Sequence, residues 1–254
     1  MSFVFDFQAR RTADGMRLSV PLEHNTRAWE CHDLGTLHYI VSPAHRYDPA
    51  LAQQQADAIQ ALAGFFDVEP FPIDFYLFTD PSELFRTRGF QAHPRMYTHP
   101  TGGMVDAGEN VYSGNNKEVY THEIVHLFTE RKFDARSDLL EEGLATLLGG
   151  SGEHTYAWHR ENLRRYLLAD PGMDLSERLN PYAQDYINEH TNVPYVIGAI
   201  LCEKILREQG RDVLFAIIAS GKDPWPALAE VGIEKPGLLQ ILLQELEKPV
   251  LDPM

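Results

Sequence analysis

Two histidines and a glutamate in one short segment have the spacing of a metal-dependent hydrolytic site. The segment is Thr121-His122-Glu123-Ile124-Val125-His126, in which the histidines stand four positions apart. On a helix such positions share a face, so both imidazoles can reach one cation, and Glu123 points to the same side. Imidazole is a common ligand of catalytic zinc, and a carboxylate beside it can act as a general base. We therefore predict a helix here that binds one Zn²⁺ ion through His122 and His126.

A catalytic zinc site needs a third protein ligand and leaves one position for water. The segment 140–145, Leu-Glu-Glu-Gly-Leu-Ala, offers Glu141 and Glu142, the second of them sixteen residues after His126. Neighbouring helical residues are about 100° apart, so we predict that only one of the two faces the metal. The residues alone leave the choice open, and two solvated helix charges are the alternative.

These two segments together resemble the gluzincin metallopeptidases, in which HExxH is joined downstream by a glutamate in an Asn/Glu-Glu-Gly-x-Ala segment. His-Glu-Ile-Val-His at 122–126 and Glu-Glu-Gly-Leu-Ala at 141–145 match that pattern. The resemblance implies a thermolysin-like or aminopeptidase-like zinc metallopeptidase domain that holds one Zn²⁺ ion. It also implies that Glu142, directly before the glycine, is the third ligand and that Glu123 is the general base.

A third segment extends the resemblance, which covers roughly residues 100–248. Residues 192–199, Asn-Val-Pro-Tyr-Val-Ile-Gly-Ala, are similar to the aminopeptidase-like helix in which a Pro-Tyr-x-x-Gly tyrosine stabilises the oxyanion. The resemblance implies this role for Tyr195; a tyrosine packed at a helix start is the alternative. Val105 departs from the pattern, because it stands where these aminopeptidases carry a glutamate that anchors the substrate amine. The choice between aminopeptidase and endopeptidase is therefore open.

The elements that must position these residues fall into two groups along the chain. Alternation and β-forming residues predict strands at 34–42, 73–78 and 102–112. Helical spacing predicts helices at 48–66, 116–131, 138–148, 155–168, 193–208, 211–219 and 235–248, and Asp80-Pro81-Ser82 opens a further short helix through Leu84 and Phe85. Strands first and helices after indicate an α+β fold. Together with the resemblance, this order predicts a thermolysin-like zincin catalytic domain: a small N-terminal mixed sheet with helices, then a mainly helical C-terminal lobe.

The chain has 254 residues, of which 44% are apolar, enough to bury a substantial core. We predict a single catalytic unit over residues 1–254. Its lobes are residues 1–134, which include the helix with the histidines, and residues 135–254.

The formal net charge is −15, and the chain has no run of basic residues. Nucleic-acid binding depends on clusters of Lys and Arg, so a nucleic-acid partner is not expected. Long apolar runs and a signal peptide are also missing from the sequence, so we expect no membrane span and a cytoplasmic location. A secreted or periplasmic location applies if a leader has been removed. The expected partner is a peptide or small protein substrate, and the oligomeric state is open.

Several further side chains carry weaker expectations. Cys31 and Cys202 are predicted to be buried free thiols, with a single long-range disulfide as the alternative. Trp158 is predicted to lie in the core. Thr146, one turn after Glu142, is expected to pack against a neighbouring helix. The alternative is that it supports a metal ligand.

Two more polar residues lie near the motifs. Glu118 is expected to stabilise the start of the histidine-bearing helix. His190 is expected on a surface loop, with a role in oxyanion stabilisation as the alternative.

Three functions fit these residues. The first is hydrolysis of peptide bonds by a metal-activated water, with Glu123 as general base and Tyr195 as oxyanion donor. The second is a non-catalytic or degenerate zinc-binding domain, which has no need of Glu123. The third is a zinc hydrolase of a non-peptide amide.

Overall fold

The computed structural model describes residues 4–93, 96, 101–106, 109–170, 172–183 and 185–253. The protein is α+β, as the order of elements predicts. Its strands are β1 (Gln8–Thr12), β2 (Gly15–Ser19), β3 (Glu30–Leu34), β4 (Leu37–Val41), β5 (Ile73–Leu77), β6 (Gly103–Asp106) and β7 (Asn110–Ser113). Its helices are α1 (Leu22–Thr26), α2 (Pro49–Phe66), α3 (Pro81–Thr87), α4 (Thr121–Lys132), α5 (Asp138–Gly149), α6 (Tyr156–Ala169), α7 (Val193–Gln209), α8 (Arg211–Ile218), α9 (Trp225–Glu230) and α10 (Leu238–Leu246). Short 3₁₀ turns occur at Pro181–Ala183 and Lys235–Gly237.

By the density of its internal contacts the chain divides into two units. The first comprises Met1–Gln60 and Glu69–Glu123, and the second comprises Ala61–Val68 and Ile124–Met254. The division falls inside α4, which is a continuous helix carrying both histidines of the motif.

A five-stranded mixed sheet forms the centre of the first unit, in the order β3-β4-β5-β7-β6. The inner pairs β4–β5 and β5–β7 are parallel, whereas β3–β4 and β7–β6 are antiparallel. The inner strands β4 and β5 are almost wholly buried, as strands covered on both faces must be. The single strand predicted over 102–112 is two strands, β6 and β7, that pair with each other and leave β6 at the edge.

A separate two-stranded sheet, β1–β2, lies near the start of the chain and was not predicted. Its register pairs Gln8 with Ser19 and Thr12 with Gly15 across a two-residue turn. The apolar side chains Met16 and Leu18 are 63% and 70% exposed. This hairpin therefore contributes little apolar burial to the core.

The core of the second unit is built from helices and aromatic rings. Phe66, at the end of α2, stacks on Phe128 of α4 and on Phe215 of α8, with centroid distances of 5.6 Å in both cases. Phe65 also contacts Phe215 edge to face at 5.6 Å. Phe65 and Phe66 are therefore both core residues.

Two predicted helix boundaries are wrong, for identifiable reasons. Helix α4 begins at Thr121 instead of 116 because Asn116 has a left-handed backbone, with φ of 55°. The helix predicted over 235–248 is a 3₁₀ turn at Lys235–Gly237 followed by α10, since Pro236 lacks the N–H that an α-helix interior needs.

Glu118 lies before α4 and does not cap it. Its side chain is fully buried, and Oε1 accepts hydrogen bonds from His45 Nε2 at 2.8 Å and from the Asp48 backbone N–H at 2.6 Å. The Tyr39 hydroxyl donates to the Glu118 backbone carbonyl at 3.0 Å. Glu118 thus fixes the loop before α4 to the segment that starts α2.

Both cysteines are free, and only Cys202 is buried; Cys31 is exposed on β3. The expectation of two buried thiols is therefore wrong for Cys31. Trp158 is also not a core residue, because it is 36% exposed and stacks on His154 with a centroid distance of 3.7 Å. Within the described residues, none of the helices is both long enough and apolar enough to cross a bilayer.

Candidate metal centre

Helix α4 brings both histidines of the motif to one side. His122 and His126 are almost fully buried, and Glu123 is partly exposed. Ile124 and Val125 are completely buried in the protein interior, as the helical period requires. The start of the helix is held by Gln55 of α2, whose Oε1 accepts from the Tyr120 N–H at 2.7 Å and from the Thr121 hydroxyl at 3.3 Å.

Helix α5 supplies the carboxylate that completes the cluster. The helix begins after Ser137, whose hydroxyl accepts from the Leu140 N–H at 3.5 Å. One ligand atom from each of His122, His126 and Glu142 lies within 4.8 Å of the other two. Among the described residues, these three form the one group of metal-ligating side chains that meets this criterion.

One distance inside the cluster matches the separation of two ligands on a small tetrahedral ion. His126 Nε2 and Glu142 Oε2 are 3.5 Å apart. Two ligands bound tetrahedrally at zinc distances of 2.0–2.1 Å are themselves roughly 3.3–3.4 Å apart. Two imidazoles and one carboxylate are also the donor set found in catalytic zinc sites with an open position. The residues present therefore fit a Zn²⁺ ion held by His122, His126 and Glu142.

Glu141 contacts the other nitrogen of the same imidazole. Its Oε1 lies 3.3 Å from His126 Nδ1 and accepts from the Thr129 hydroxyl at 2.8 Å. Its Oε2 accepts from Arg136 Nε at 2.7 Å. With the proton on Nδ1 donated to Glu141, the Nε2 lone pair of His126 faces Glu142 and is available to a metal.

The charge state of Glu141 follows from these contacts. Burial opposes ionisation, but the hydrogen bonds from His126 and Thr129 and the charge of Arg136 hold the pKa of Glu141 below its usual value. A carboxylate in this position orients the imidazole and raises its basicity. Only Glu142 belongs to the cluster, as the helical offset predicts, and Glu141 instead reaches the other nitrogen of His126.

A close crossing of α5 and α7 positions Glu142. A Cβ atom added to Gly143 would lie 2.2 Å from the Gly198 carbonyl carbon, and one added to Gly198 would lie 2.3 Å from the Leu139 carbonyl oxygen. Only glycine at both positions lets the two backbones approach this closely. The glycines of the two motifs are thus in contact, and Gly143 directly follows Glu142 in the chain.

Tyr195 lies in the first turn of α7 and is partly buried. It is three residues before Gly198, so it shares the helix face that meets α5. Pro194 precedes it within the first turn, where proline is well tolerated. This position is compatible with a role at the centre and also with the alternative of a tyrosine packed at a helix start.

Tyr182, in the 3₁₀ turn Pro181–Ala183, was not predicted from the sequence to lie near the cluster. This turn packs against α5 and α7, and the Tyr182 side chain is 66% exposed. Partial burial and the negative charges of Asp138, Glu142 and Glu141 raise the pKa of the Tyr182 hydroxyl. Its sequence context, Asn-Pro-Tyr, indicated only a turn.

The remaining candidates lie in different surroundings. His190 is exposed on a loop, as expected, with its ring 4.8 Å from that of His154. Thr146 of α5 is fully buried, as expected for a side chain that packs in the interior. Its hydroxyl has no hydrogen-bond partner within the part of the chain described. Val105 lies on the edge strand β6.

Comparison with known proteins does not assign the chain to a family. No protein-family model matches the chain, and none of the curated proteins matches it in sequence.

Proposed function

We propose that this protein is a zinc-dependent metallopeptidase that hydrolyses peptide bonds. The observation that carries the proposal is the convergence of His122, His126 and Glu142, with His126 oriented by Glu141 through its second nitrogen. A supported imidazole next to two further ligands is typical of metal sites.

A zinc ion held by these three residues would polarise the substrate carbonyl and lower the pKa of a coordinated water toward about 7. Glu123 follows His122 on the same helix and is partly exposed, so it can accept a proton from the attacking water. It then returns that proton to the leaving amine. The Tyr195 hydroxyl donates a hydrogen bond to the carbonyl oxygen as negative charge builds on it, an interaction worth a few kcal/mol in comparable sites.

We also propose the finer fold, a thermolysin-like zincin domain of the gluzincin type. Three features support it: a mixed sheet with β6 at its edge, the HExxH helix α4, and the paired helices α5 and α7 that carry the two further motifs. An edge strand such as β6 presents unpaired backbone groups to which an extended peptide can bind.

The main alternatives keep the metal and change the use of the site. A non-catalytic zinc domain would close the site with a fourth protein ligand. Among the described residues the cluster has three, which favours an open catalytic position. A zinc hydrolase of a non-peptide amide would use the same residues, and the choice of substrate tests it.

The test is a cleavage assay on a peptide library with the zinc-loaded protein. The wild type is expected to bind one zinc per chain and to cleave. Glu123→Gln is expected to keep its zinc and to lose at least about 100-fold in rate, the lower range for loss of a general base. Glu161→Gln, the same change at a partly exposed ion pair on α6, is the matched control and should cleave normally. Full activity of zinc-loaded Glu123→Gln would refute the assigned role.

If the wild type binds zinc but cleaves no peptide, a panel of non-peptide amides separates the remaining alternatives. Turnover of one of them, lost in Glu123→Gln, would indicate the amide hydrolase. Inactivity toward every substrate would leave the non-catalytic zinc domain.

A further inference from the structure

Arg88, directly after α3, is a partly buried cation without a carboxylate partner. Its guanidinium carbon lies 4.3 Å from the centre of the Tyr112 ring, and its Nη1 contacts Met104 Sδ, a weak acceptor. Its Nε is buried and has no hydrogen-bond partner within the described residues. Among those residues no carboxylate neutralises the guanidinium, so a bound anion would offset the cost of its partial burial.

The backbone at the end of α3 holds Arg88 in place. The Arg88 N–H donates to the Leu84 carbonyl at 3.1 Å, and the Gly89 N–H donates to the Arg86 carbonyl at 2.9 Å. Gly89 has a left-handed backbone, with φ of 95°, and a Cβ atom added to it would overlap the Asp6 carbonyl oxygen. The side chain therefore extends from a fixed backbone, which lowers the entropy cost of binding a ligand through it.

The guanidinium lies over the edge of the five-stranded sheet. Met104 of β6 is paired in register with Tyr112 of β7, so both side chains point to the same face. Arg88 contacts both of them on that face. In the described part of the chain β6 pairs only with β7, so its outer edge offers backbone N–H and C=O groups to an added strand.

The opposite face of β6 lies next to the helix that carries the histidines. Gly103 directly precedes Met104, so it faces the other side of the sheet. A Cβ atom added to Gly103 would overlap the Tyr120 ring, and Tyr120 stands two residues before His122. Strand β6 thus has the start of α4 near one face and Arg88 on the other.

A peptide that adds to the outer edge of β6 would continue this alternation. The peptide side chain opposite Met104 would lie on the face of Arg88, and its two neighbours would lie on the face of Tyr120. An Asp or Glu opposite Met104 would bring its carboxylate next to the guanidinium. Arginine suits this contact, because its planar donors match the two oxygens of a carboxylate.

Asp106, two residues after Met104 on β6, does not form an ion pair with Arg88. Its Oδ2 accepts from the Tyr112 hydroxyl at 2.5 Å, and its Oδ1 accepts from the Asn110 side chain at 2.9 Å. The first of these hydrogen bonds fixes the Tyr112 ring on which the guanidinium lies. Asp106 therefore supports the position of Arg88 without neutralising it.

We propose that Arg88 is a specificity-determining residue that selects peptide substrates with an acidic side chain. The peptide binds as an added strand along β6, and its Asp or Glu side chain forms an ion pair with Arg88. This inference rests on the proposed peptidase function and names a substrate class for it.

The test uses peptides that differ only by Glu or Gln, with the exchange placed in turn at each of three positions on either side of the cleaved bond. Because Glu and Gln have nearly the same shape, the ratio of their kcat/KM values measures the effect of charge. At one position the wild type is expected to prefer Glu about tenfold, through KM more than kcat, as for one hydrogen-bonded contact to a charged group. The preference should fall as the salt concentration rises.

Three variants show whether Arg88 causes the preference. Arg88→Met keeps an unbranched stem over the Tyr112 ring and should bring the Glu/Gln ratio to about one. Arg88→Glu should reverse the preference, so that a Lys peptide is cleaved better than the Glu peptide. Arg86→Met is the matched control, because Arg86 is exposed in the last turn of the same helix, and it should keep the wild-type ratio. Zinc content and the urea midpoint show whether each variant is folded.

The possible failures can be told apart. If the wild type cleaves Glu and Gln peptides equally at every position, or if Arg88→Met keeps the preference, the role of Arg88 is refuted while the peptidase function stands. If calorimetry shows tighter binding of the Glu peptide that is lost in Arg88→Met, but no peptide is cleaved, the recognition site stands and the peptidase function fails. If peptides are neither bound nor cleaved, both proposals fail together.

Discussion

Two pairs of neighbouring elements in this protein, α5–α7 and β1–β2, illustrate opposite ways of using apolar residues. In α5–α7 the backbones meet at Gly143 and Gly198, and nearly every apolar side chain around the crossing is buried. In β1–β2 the strands pair in full register, but Met16 and Leu18 are mostly exposed. Regular hydrogen bonding is present in both pairs, so it is not what separates them.

The two pairs differ in how well their packing tolerates an added atom. Close packing in the helix pair leaves no space for an added methyl group, and the crossing lies directly beside Glu142, the proposed zinc ligand. The hairpin has open solvent beside its side chains and little apolar area to lose. We therefore expect substitutions in the helix pair to affect both stability and metal binding, and substitutions in the hairpin to affect neither.

The largest effect is expected for Gly143→Ala. The added Cβ would overlap the Gly198 backbone, so α5 and α7 must separate, at a cost of about 3 kcal/mol in the free energy of unfolding. Urea denaturation measures this value. The control is Gly64→Ala in α2, where a Cβ meets no atom within 4 Å, and it should be neutral or slightly stabilising. Equal stabilities of the two variants would contradict the tight crossing.

A smaller effect is expected for Glu141→Gln, which removes a charge and leaves the packing intact. His126 would lose the carboxylate at Nδ1, so zinc affinity should fall about 10- to 100-fold, as for other residues that support a ligand. Competition with a chromophoric chelator measures the affinity. The control is Glu208→Gln, which should bind zinc normally. Glu208 forms ion pairs with Lys204 of α7 and with Lys248, which follows α10. An unchanged affinity in Glu141→Gln would show that the contact does not support the ligand.

The smallest effect is expected for Leu18→Asp in the hairpin. Because this side chain is 70% exposed, its replacement should change the free energy of unfolding by no more than about 0.5 kcal/mol. The same urea titration measures it, with zinc content as a second check. A loss of several kcal/mol would mean that the hairpin is as essential to the fold as the helix crossing.

The contrast between buried helices and the exposed hairpin also explains which elements could be predicted from the sequence. Helices such as Pro49–Phe66 and Asp138–Gly149 were located to within a residue, because apolar residues at helical spacing and clear start signals agree there. The hairpin was missed although Met16, Leu18 and Val20 alternate with Arg17 and Ser19, because the partner strand Gln8–Thr12 has a single apolar residue and shows no such pattern. A second signal is Asp14-Gly15, where the turn ends and β2 begins.

At the centre, the motif spacing located His122 and His126, since i and i+4 geometry on one helix is fixed by the chain itself, whereas Glu142 was expected only from the resemblance to gluzincins. The contact of Glu141 with the second nitrogen of His126 was not predictable from the 100° offset. It depends on how α4 and α5 cross, which is a property of tertiary packing. Tyr182 was missed for the same reason, because its place beside α5 depends on the path of the chain from α6 to α7.

Arg136 gives this centre a link to the solvent. Its guanidinium is shared between Glu141 and the partly exposed Glu130, at 2.7 and 3.0 Å. Any change in Glu130 alters how strongly Arg136 neutralises Glu141, and with it the electron density that the His126 ring can offer an ion. If the proposed zinc ion binds here, its affinity is therefore expected to respond in small steps to changes at a surface position, while His122, His126, Glu142 and Glu123 remain untouched.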